Sequence, residues 1–347
     1  MDSTQPENTN YFDLTIQDGV KSFDQNYFGH GKILLSGEYF VLNGADALAL
    51  PTKAGQSLSV KYEQSFDPSL SWRAYDSNGE LWFSVDYEFW NFNIIGEEQA
   101  KDPKAQFLQS LLRQARIQNK HFLREEVNVL VETRLGFPKD WGLGSSSSLI
   151  YNLAQWAYIS PFELLFKTTQ GSGYDVACAQ SNGAILYNLG DSGPLWSPVL
   201  FDPKFKENLS FIYLGQKQNT KEAIMNYKKI NSPKSSLIDE VSLLTREMLT
   251  AKNLDDFNRI VRDHERIVSS HIGNPILKDS NFNDFDGEIK SLGAWGGDFI
   301  LASSRNDKKE VEKYFKNKGL EVVIPYEEII LTESENERKQ NDDRVIH

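Results

Sequence analysis

The sequence predicts an α+β protein built from two domains. Its 347 residues are more than one small hydrophobic core needs, so two domains are expected. The first half carries short runs rich in aromatic and β-branched residues, separated by turn residues, which predict strands of an antiparallel sheet. The second half carries longer stretches with apolar residues at helical spacing, followed by a strand-helix-strand pattern.

The first half is predicted to contain more strand than helix. FGHGKILLSGEYFVLNG predicts a strand, a turn at Ser-Gly-Glu and a second strand over the apolar residues after Glu38. QSLSVKYEQ, SLSWRAYD, LWFSVDYEFWNF and VNVLVETR predict further strands, whereas AQFLQSLLRQARIQ and LIYNLAQWAYI predict helices. FELLFKTTQ is one more helical stretch. The loop GDSGPLWSP, which contains Gly and Pro, predicts a domain junction, giving domains at 1–192 and 193–347.

The second half is predicted to be richer in helix. TKEAIMNYKKI, SLIDEVSLLTREML and LDDFNRIVRDHERIVSSHI predict three helices. DFILASS, KKEVEKYFKNKG and LEVVIPY then predict a β-α-β unit.

Charge and cysteine content narrow the class of protein. A net charge of −12 argues against a nucleic-acid or anionic-membrane surface, where Lys and Arg must dominate. The single cysteine, Cys178, excludes an internal disulfide and fits a reducing compartment. The first residues are polar and acidic, unlike a signal peptide, and no apolar run reaches membrane-spanning length. A soluble, cytoplasmic protein is expected.

Three Gly-rich segments lie at junctions between predicted elements: GKILLSGEYFVL at 31–42, GLGSSSS at 142–148 and LGAWGGDFILAS at 292–303. GLGSSSS lacks the lysine of a Walker loop, and no Gly-x-Gly-x-x-Gly occurs in a β-α-β setting. Taken alone, the four serines fit a flexible linker or an ordinary helix cap. They also fit a loop whose backbone amides hold a phosphate at the start of a helix.

The order of these segments resembles that of the GHMP kinases, the family of galactokinase, homoserine kinase, mevalonate kinase and phosphomevalonate kinase. The first motif is GKILLSGEYFVL, the phosphate loop is PKDWGLGSSSS and the C-terminal glycine loop is GAWGGDFILAS. GSGYDVACAQSNGAILY resembles the segment that carries the catalytic aspartate. The Gly-Glu-Tyr, Gly-Ser-Gly-Tyr-Asp-Val and Gly-Gly-Asp patterns favour the phosphomevalonate kinase branch.

This resemblance implies a fold and a reaction. The N-terminal domain would be ribosomal protein S5-like and the C-terminal domain a ferredoxin-like sandwich, with ATP and Mg²⁺ bound between them. An alcohol oxygen of a small substrate would attack the γ-phosphate of ATP. Asp175 matches the residue that takes the hydroxyl proton, and Lys32 matches the cation that stabilises the developing charge, as phosphoryl transfer requires.

The resemblance also assigns binding residues, one group at a time. The phosphate loop corresponds to Gly142, Leu143, Gly144, Ser145, Ser146 and Ser147, and the third loop to Gly293, Gly296 and Gly297. Mg²⁺ would be bound by Ser146, or by Ser145 or Ser147 if the register of the loop differs, together with Glu163. The acceptor substrate would lie near Glu38, Tyr39, Gly173 and Thr220.

Two departures from the family leave the substrate open. Trp295 stands where a small residue is usual, so its ring either narrows the phosphate channel or turns outward and packs. Ser148 and Asp175 are only 27 positions apart, which predicts a more open acceptor pocket or one completed by another subunit. The expected function is a phosphomevalonate or mevalonate kinase, monomeric or homodimeric. The alternatives are a kinase of a sugar or another small alcohol, and a catalytically weakened homologue that binds its ligand.

Overall fold

The computed structural model describes residues 22–215, 220–230, 232–295 and 297–332. The strands among these residues form one sheet of eight strands and one of four. The larger sheet contains β1 Gln25–Ser36, β2 Ala47–Gln64, β3 Ser69–Tyr75, β4 Leu81–Glu88, β5 Ile94–Ile95, β6 Val127–Leu135, β7 Ile185–Gly190 and β8 Gly193–Pro198. Its order is β5-β4-β3-β6-β2-β7-β8, with β1 paired to β2.

The long strand β2 organises the larger sheet. β1 runs antiparallel to it, from Gln25 opposite Val60 to Ser36 opposite Leu48. The second half of β2 also pairs with β6, and its first three residues pair with β7. The pairing of β3 with β6 is parallel, and the other described pairings of this sheet are antiparallel. Apart from the segment after Glu38, the predicted strands of the first half are therefore confirmed around one central strand.

Helices of the N-terminal half pack on this sheet. They are α1 Glu97–Lys101, α2 Pro103–Gln118, α3 Ser145–Ala157, α4 Pro161–Thr168 and α5 Tyr174–Ala179. Alternation along β3 buries Leu70 and Trp72, which share an apolar cluster with Leu111 of α2 and Leu153 of α3. This packing holds the start of α3 beside β1.

The smaller sheet contains β9 Leu209–Tyr213, β10 Glu288–Ser291, β11 Phe299–Ser303 and β12 Val323–Pro325, in the order β10-β11-β9-β12. The helices of this half are α6 Thr220–Tyr227, α7 Ser235–Thr250, α8 Leu254–Ile272, α9 Leu277–Ser280, α10 Lys308–Asn317 and α11 Tyr326–Ile329. All three strand pairings are antiparallel. A β-α-β-β-α-β chain with this strand order is a ferredoxin-like sandwich, as predicted. None of the helices described is both long and apolar enough to cross a membrane.

One predicted strand is wrong. The apolar residues after Glu38 form a short 3-10 helix, Phe40–Asn43, instead of an extended segment. Positive φ angles at Gly37 (90°), Tyr39 (61°) and Gly44 (89°) curl the chain at both ends of it. The buried ring of Phe40 is thereby turned toward the second half of the chain.

An apolar core joins the two halves. Residues from β1, β2 and the loop before α3 pack in one cluster with residues from α7, α8, β9, β11 and α11. The strand β8 pairs with β7, so a hairpin of the larger sheet spans the predicted junction at residue 192. The domain boundary at residue 192 stays a prediction.

Candidate active site

The segment GLGSSSS lies at the start of α3. Gly142 and Gly144 have left-handed φ angles of 65° and 92°, which glycine adopts without strain. Gly144 is the N-cap residue, and no side chain caps the helix there. The backbone N–H groups of Ser145, Ser146 and Ser147 donate to no acceptor in the described part of the chain. Three such donors at the positive end of a helix suit a phosphate group.

The four serines are ordered parts of α3, so the flexible-linker alternative is wrong. The Ser147 hydroxyl donates to the carbonyl oxygen of Gly144 at 2.9 Å. The Ser148 hydroxyl donates to Gln56 Oε1 on β2 at 3.0 Å, and both of these serines are buried. Ser146 is exposed, so its hydroxyl faces the open side of the helix start.

Lys32 and Asp175 reach this helix end from two other elements. Lys32 lies in β1, and its backbone N–H donates to the carbonyl oxygen of Leu143 at 2.9 Å, which ties the strand to the phosphate loop. Asp175 lies in the first turn of α5, which begins after Gly173 at a φ of 89°. Its Oδ1 accepts a hydrogen bond from the N–H of Val176 at 3.0 Å. The structure thus brings together the two predicted catalytic residues.

The charges of this pair support each other. Burial raises the pKa of the Asp175 carboxyl above its usual range, although the Lys32 ammonium opposes the shift. Burial alone would lower the pKa of Lys32, but Tyr174, Asp175 and Asp298 together raise it. The Lys32 Nζ also lies 5.9 Å from the centre of the Tyr174 ring. The result is a cation beside a carboxylate that is a stronger base than one in water.

Gly144 brings the phosphate loop against this pair. A Cβ at position 144 would lie 2.9 Å from Lys32 Cγ and 2.9 Å from Ser147 Oγ. The Ser147 side chain lies within hydrogen-bonding reach of the Asp175 carboxylate. The loop at the start of α3 and the predicted catalytic pair therefore lie together, and a side chain at position 144 would disturb both.

The third glycine loop connects β10 to β11 and reaches the phosphate loop. A Cβ at Gly142 would lie 2.1 Å from Asp298 Oδ2, so the Asp298 carboxylate rests directly on that glycine. Gly293 turns the chain with a φ of 58°, and Gly297 is buried. Gly296, predicted to shape the nucleotide site, lies outside the described residues. Asp298 was quoted in a motif but given no role by sequence reasoning.

Trp295 packs inward. It is 4% exposed and shares an apolar cluster with Phe40 of the short 3-10 helix and Val268 of α8. Its φ of 41° is unusual for a bulky residue. The predicted packing of the ring is observed, but the ring turns inward, between the two halves of the chain, and the predicted outward turn is wrong.

The residues predicted to face the acceptor differ in their surroundings. Glu38 has no solvent contact, whereas Tyr39 is half-buried and stacks on Tyr227 of α6 with ring centres 5.0 Å apart. Gly173 caps α5 beside Asp175. Thr220 begins α6, and its side chain lies outside the described residues. Their substrate roles stay predictions.

The two predicted metal ligands differ in surroundings. Ser146 lies in the phosphate cradle, whereas Glu163 is exposed in the first turn of α4, where its N–H donates to Ser160 Oγ at 3.3 Å. The Glu163 carboxylate makes no hydrogen bond or ion pair with a described residue. Nowhere in the described ranges do three His, Cys, Asp or Glu side chains gather as a metal site. Mg²⁺ that binds together with a nucleotide takes some of its ligands from the phosphates, so it needs fewer than three protein ligands. The residues present therefore fit an Mg²⁺ ion that the phosphates also bind.

A buried charge cluster lies apart from the phosphate loop, and sequence reasoning missed it. Lys290 Nζ of β10 lies 2.7 Å from Glu38 Oε1 and 3.4 Å from Glu265 Oε1 of α8. His264 Nε2 accepts the N–H of Gly37 at 3.2 Å and lies 3.4 Å from Glu38 Oε2. Burial raises the pKa of Glu38 to about 7 and lowers that of His264 well below its usual value. No local sequence pattern predicts the cluster, because its members come from three segments that are far apart in the chain.

No family model and no curated protein matches this sequence. Solved structures do match. A Lin0012 protein from Listeria innocua is 20% identical with a TM-score of 0.61, covering 86% of this chain and 96% of that chain. The L. major mevalonate kinase in complex with R-mevalonate is 16% identical with a TM-score of 0.64, covering 91% and 98%. The chain has the fold of the GHMP kinases.

A third structure agrees with this fold. The Streptococcus pneumoniae phosphomevalonate kinase, in complex with phosphomevalonate and AMPPNP, is 17% identical with a TM-score of 0.63, covering 86% of this chain and 99% of that chain. The GHMP kinase fold inferred from four sequence motifs is therefore confirmed over most of the chain.

Proposed function

We propose that the protein is a GHMP-type kinase that transfers the γ-phosphate of ATP to an alcohol or phosphate oxygen of a small molecule. One observation carries this proposal: the Lys32–Asp175 pair lies against the start of α3, where three backbone N–H groups have no described acceptor. A base, a cation and a phosphate cradle are the parts that phosphoryl transfer uses. Both charged residues are present, which favours a working enzyme over a weakened binding homologue.

Each part of the site has a role in this reaction. ATP supplies the phosphoryl group, and Mg²⁺, which Ser146 would help to hold, would offset the charge of the phosphates. The N–H groups of Ser145, Ser146 and Ser147 hold the phosphates at the helix start. With an alcohol acceptor such as mevalonate, Asp175 accepts the hydroxyl proton as the alcohol oxygen bonds to the γ-phosphorus and the bond to the departing ADP oxygen breaks. With phosphomevalonate, a phosphate oxygen of the substrate forms that bond, and Asp175 takes a proton only where the substrate phosphate carries one. Lys32 stabilises the charge on the transferred oxygens.

Mevalonate or phosphomevalonate is the proposed acceptor. Two of the matching structures are kinases in complex with those two compounds. The Gly-Glu-Tyr and Gly-Gly-Asp patterns of the sequence point the same way. A sugar or other small alcohol is the alternative. The proposed setting is the cytoplasm, where ATP and Mg²⁺ are available.

A coupled ADP-release screen over mevalonate, phosphomevalonate, homoserine and hexoses tests the proposal. We expect turnover with one of the first two and a loss of about 10²- to 10⁴-fold in Asp175→Asn, which keeps the shape but not the base. Circular dichroism and a thermal melt control for folding. Turnover on none of the compounds, with ADP still bound, would favour the binding homologue. An undiminished rate in Asp175→Asn would remove its role as base.

The pH dependence of kcat gives a second test. The base must be ionised, and burial raises the pKa of Asp175. We therefore expect kcat to fall as the pH falls through a value above the usual pKa of about 3.9 for aspartate. A pH profile measured at saturating ATP and acceptor would show this limb. A rate that stays flat down to the ordinary carboxylate range would contradict the assignment.

A further inference from the structure

Asp298 carries a carboxylate from the C-terminal half onto the phosphate loop. Its Oδ2 lies so close to Gly142 that a Cβ there would come within 2.1 Å. The Asp298 charge is also one of the three that raise the pKa of Lys32. Asp298 is therefore a second carboxylate, beside Asp175, whose charge acts on Lys32.

The backbone holds this carboxylate in place. Asp298 has a left-handed φ of 42°, and its carbonyl oxygen accepts the N–H of Leu214 at 2.8 Å. Three residues earlier in the loop, Trp295 is anchored in an apolar cluster with Phe40 and Val268. A non-glycine residue keeps such a φ only where its surroundings enforce it, and such sites cluster where ligands bind.

A carboxylate at this place conflicts with a bare polyphosphate. The N–H groups at the start of α3 attract phosphate, but the Asp298 charge next to Gly142 repels it at short range in a partly buried site. A divalent cation between the two removes the conflict. Mg²⁺ is commonly bound by one or two carboxylates together with substrate phosphates.

We propose that Asp298 is the carboxylate that binds the divalent cation of the metal–nucleotide complex, together with the Ser146 hydroxyl. The proposal rests on the proposed kinase function. It gives Asp298 the role of metal ligand that the family resemblance gave to Glu163. Glu163 is exposed on α4 and contacts neither loop through its carboxylate. Asp298 instead lies on the phosphate loop itself.

Two neutral variants, Asp298→Asn and Asp298→Gly, test this assignment. Both residue types tolerate a left-handed φ, so the loop can keep its course. The affinity for ADP is measured by calorimetry with and without Mn²⁺, and bound Mn²⁺ is counted by electron paramagnetic resonance. We expect the variants to lose about tenfold or more in Mn²⁺ affinity in the ADP complex. Without metal they should bind ADP as tightly as the wild-type protein or more tightly, since a repulsive charge is gone.

Other results would overturn the assignment of Asp298. If Asp298 only fastens the two loops together, both variants weaken ADP binding by the same factor with and without Mn²⁺, and the assignment is overturned. Glu163→Gln is the parallel variant, and a loss of Mn²⁺ affinity there but not at Asp298 also overturns it. If the wild-type protein binds Mn²⁺–ADP and ADP binding by the Asp298 variants depends on Mn²⁺ to the same extent, only this inference is refuted. A wild-type protein that binds no ADP refutes the kinase proposal as well.

Discussion

Two lysines, Lys32 and Lys290, each lie near a carboxylate inside the protein, and the two sites differ in what surrounds them. Lys32 and Asp175 keep some contact with solvent and lie beside backbone N–H groups that have no described acceptor. Lys290 and Glu38 are 0% exposed and lie among other charged side chains. One pair faces a cradle that a ligand can fill, whereas the other is sealed between the two halves of the chain.

Burial and a shifted pKa therefore do not identify the catalytic pair by themselves. Burial raises the pKa of both Asp175 and Glu38. The difference lies in the neighbours, because Asp175 has a glycine loop and open N–H donors beside it, and Glu38 has Lys290 and His264. A pair that serves chemistry needs space for a substrate, while a pair that joins two halves needs none.

The largest effects are expected from replacing the two lysines, and they should differ in kind. Lys32→Met removes the cation of the active site, so we expect a loss of about 10²- to 10³-fold in kcat. The free energy of unfolding should change by no more than about 1 kcal/mol, because the groups involved retain solvent contact. Lys290→Met should do the reverse, costing about 3–5 kcal/mol of stability because it leaves buried carboxylates without their cation.

Denaturant unfolding and the ADP-release assay, run on both variants at a temperature where each is folded, measure this contrast. Equal losses of stability in the two variants would show that the pairs have the same role. A large loss of kcat in folded Lys290→Met would place the buried cluster in the catalytic machinery.

Sequence reasoning succeeded where the signal is local. The strands, the helices and the motif order could be read from periodicity and from glycines that carry positive φ, such as Gly142 and Gly144. The buried cluster could not, because Glu38 and Lys290 lie 252 positions apart and each looks ordinary in its own segment. The 3-10 helix after Glu38 was missed for a related reason. Its apolar residues pack between the two halves of the chain, but in the sequence they form a short apolar run of the kind that predicts a strand.

A smaller effect is expected at the glycine that joins the phosphate loop to the first pair. In Gly144→Ala the new Cβ would press on Lys32, so we expect a loss of about ten- to a hundredfold in kcat from misplacement. The control is Gly79→Ala, at a φ of 80° with nothing within 4 Å. Both should lose about 1–2 kcal/mol from backbone strain, as seen in unfolding curves. Equal activity in the two variants would show that the contact with Lys32 is unimportant.

A pH dependence of stability is expected at the sealed pair. The pKa of Glu38 is raised to about 7 in the folded protein, so the folded state holds that proton more tightly than the unfolded chain. Its contribution to stability is complete below about pH 4.3, the usual pKa of glutamate, and is lost as the pH rises toward 7. Glu38→Gln cannot lose a proton there, so the stability of the variant relative to the wild type should rise over this window, by at most about 1.4 kcal/mol per pH unit. Urea unfolding at pH 5, 6, 7 and 8 measures the difference in stability between the variant and the wild type, which should level off above pH 7. A constant difference across the series would mean that Glu38 is ionised throughout and that the sealed pair behaves like an exposed one.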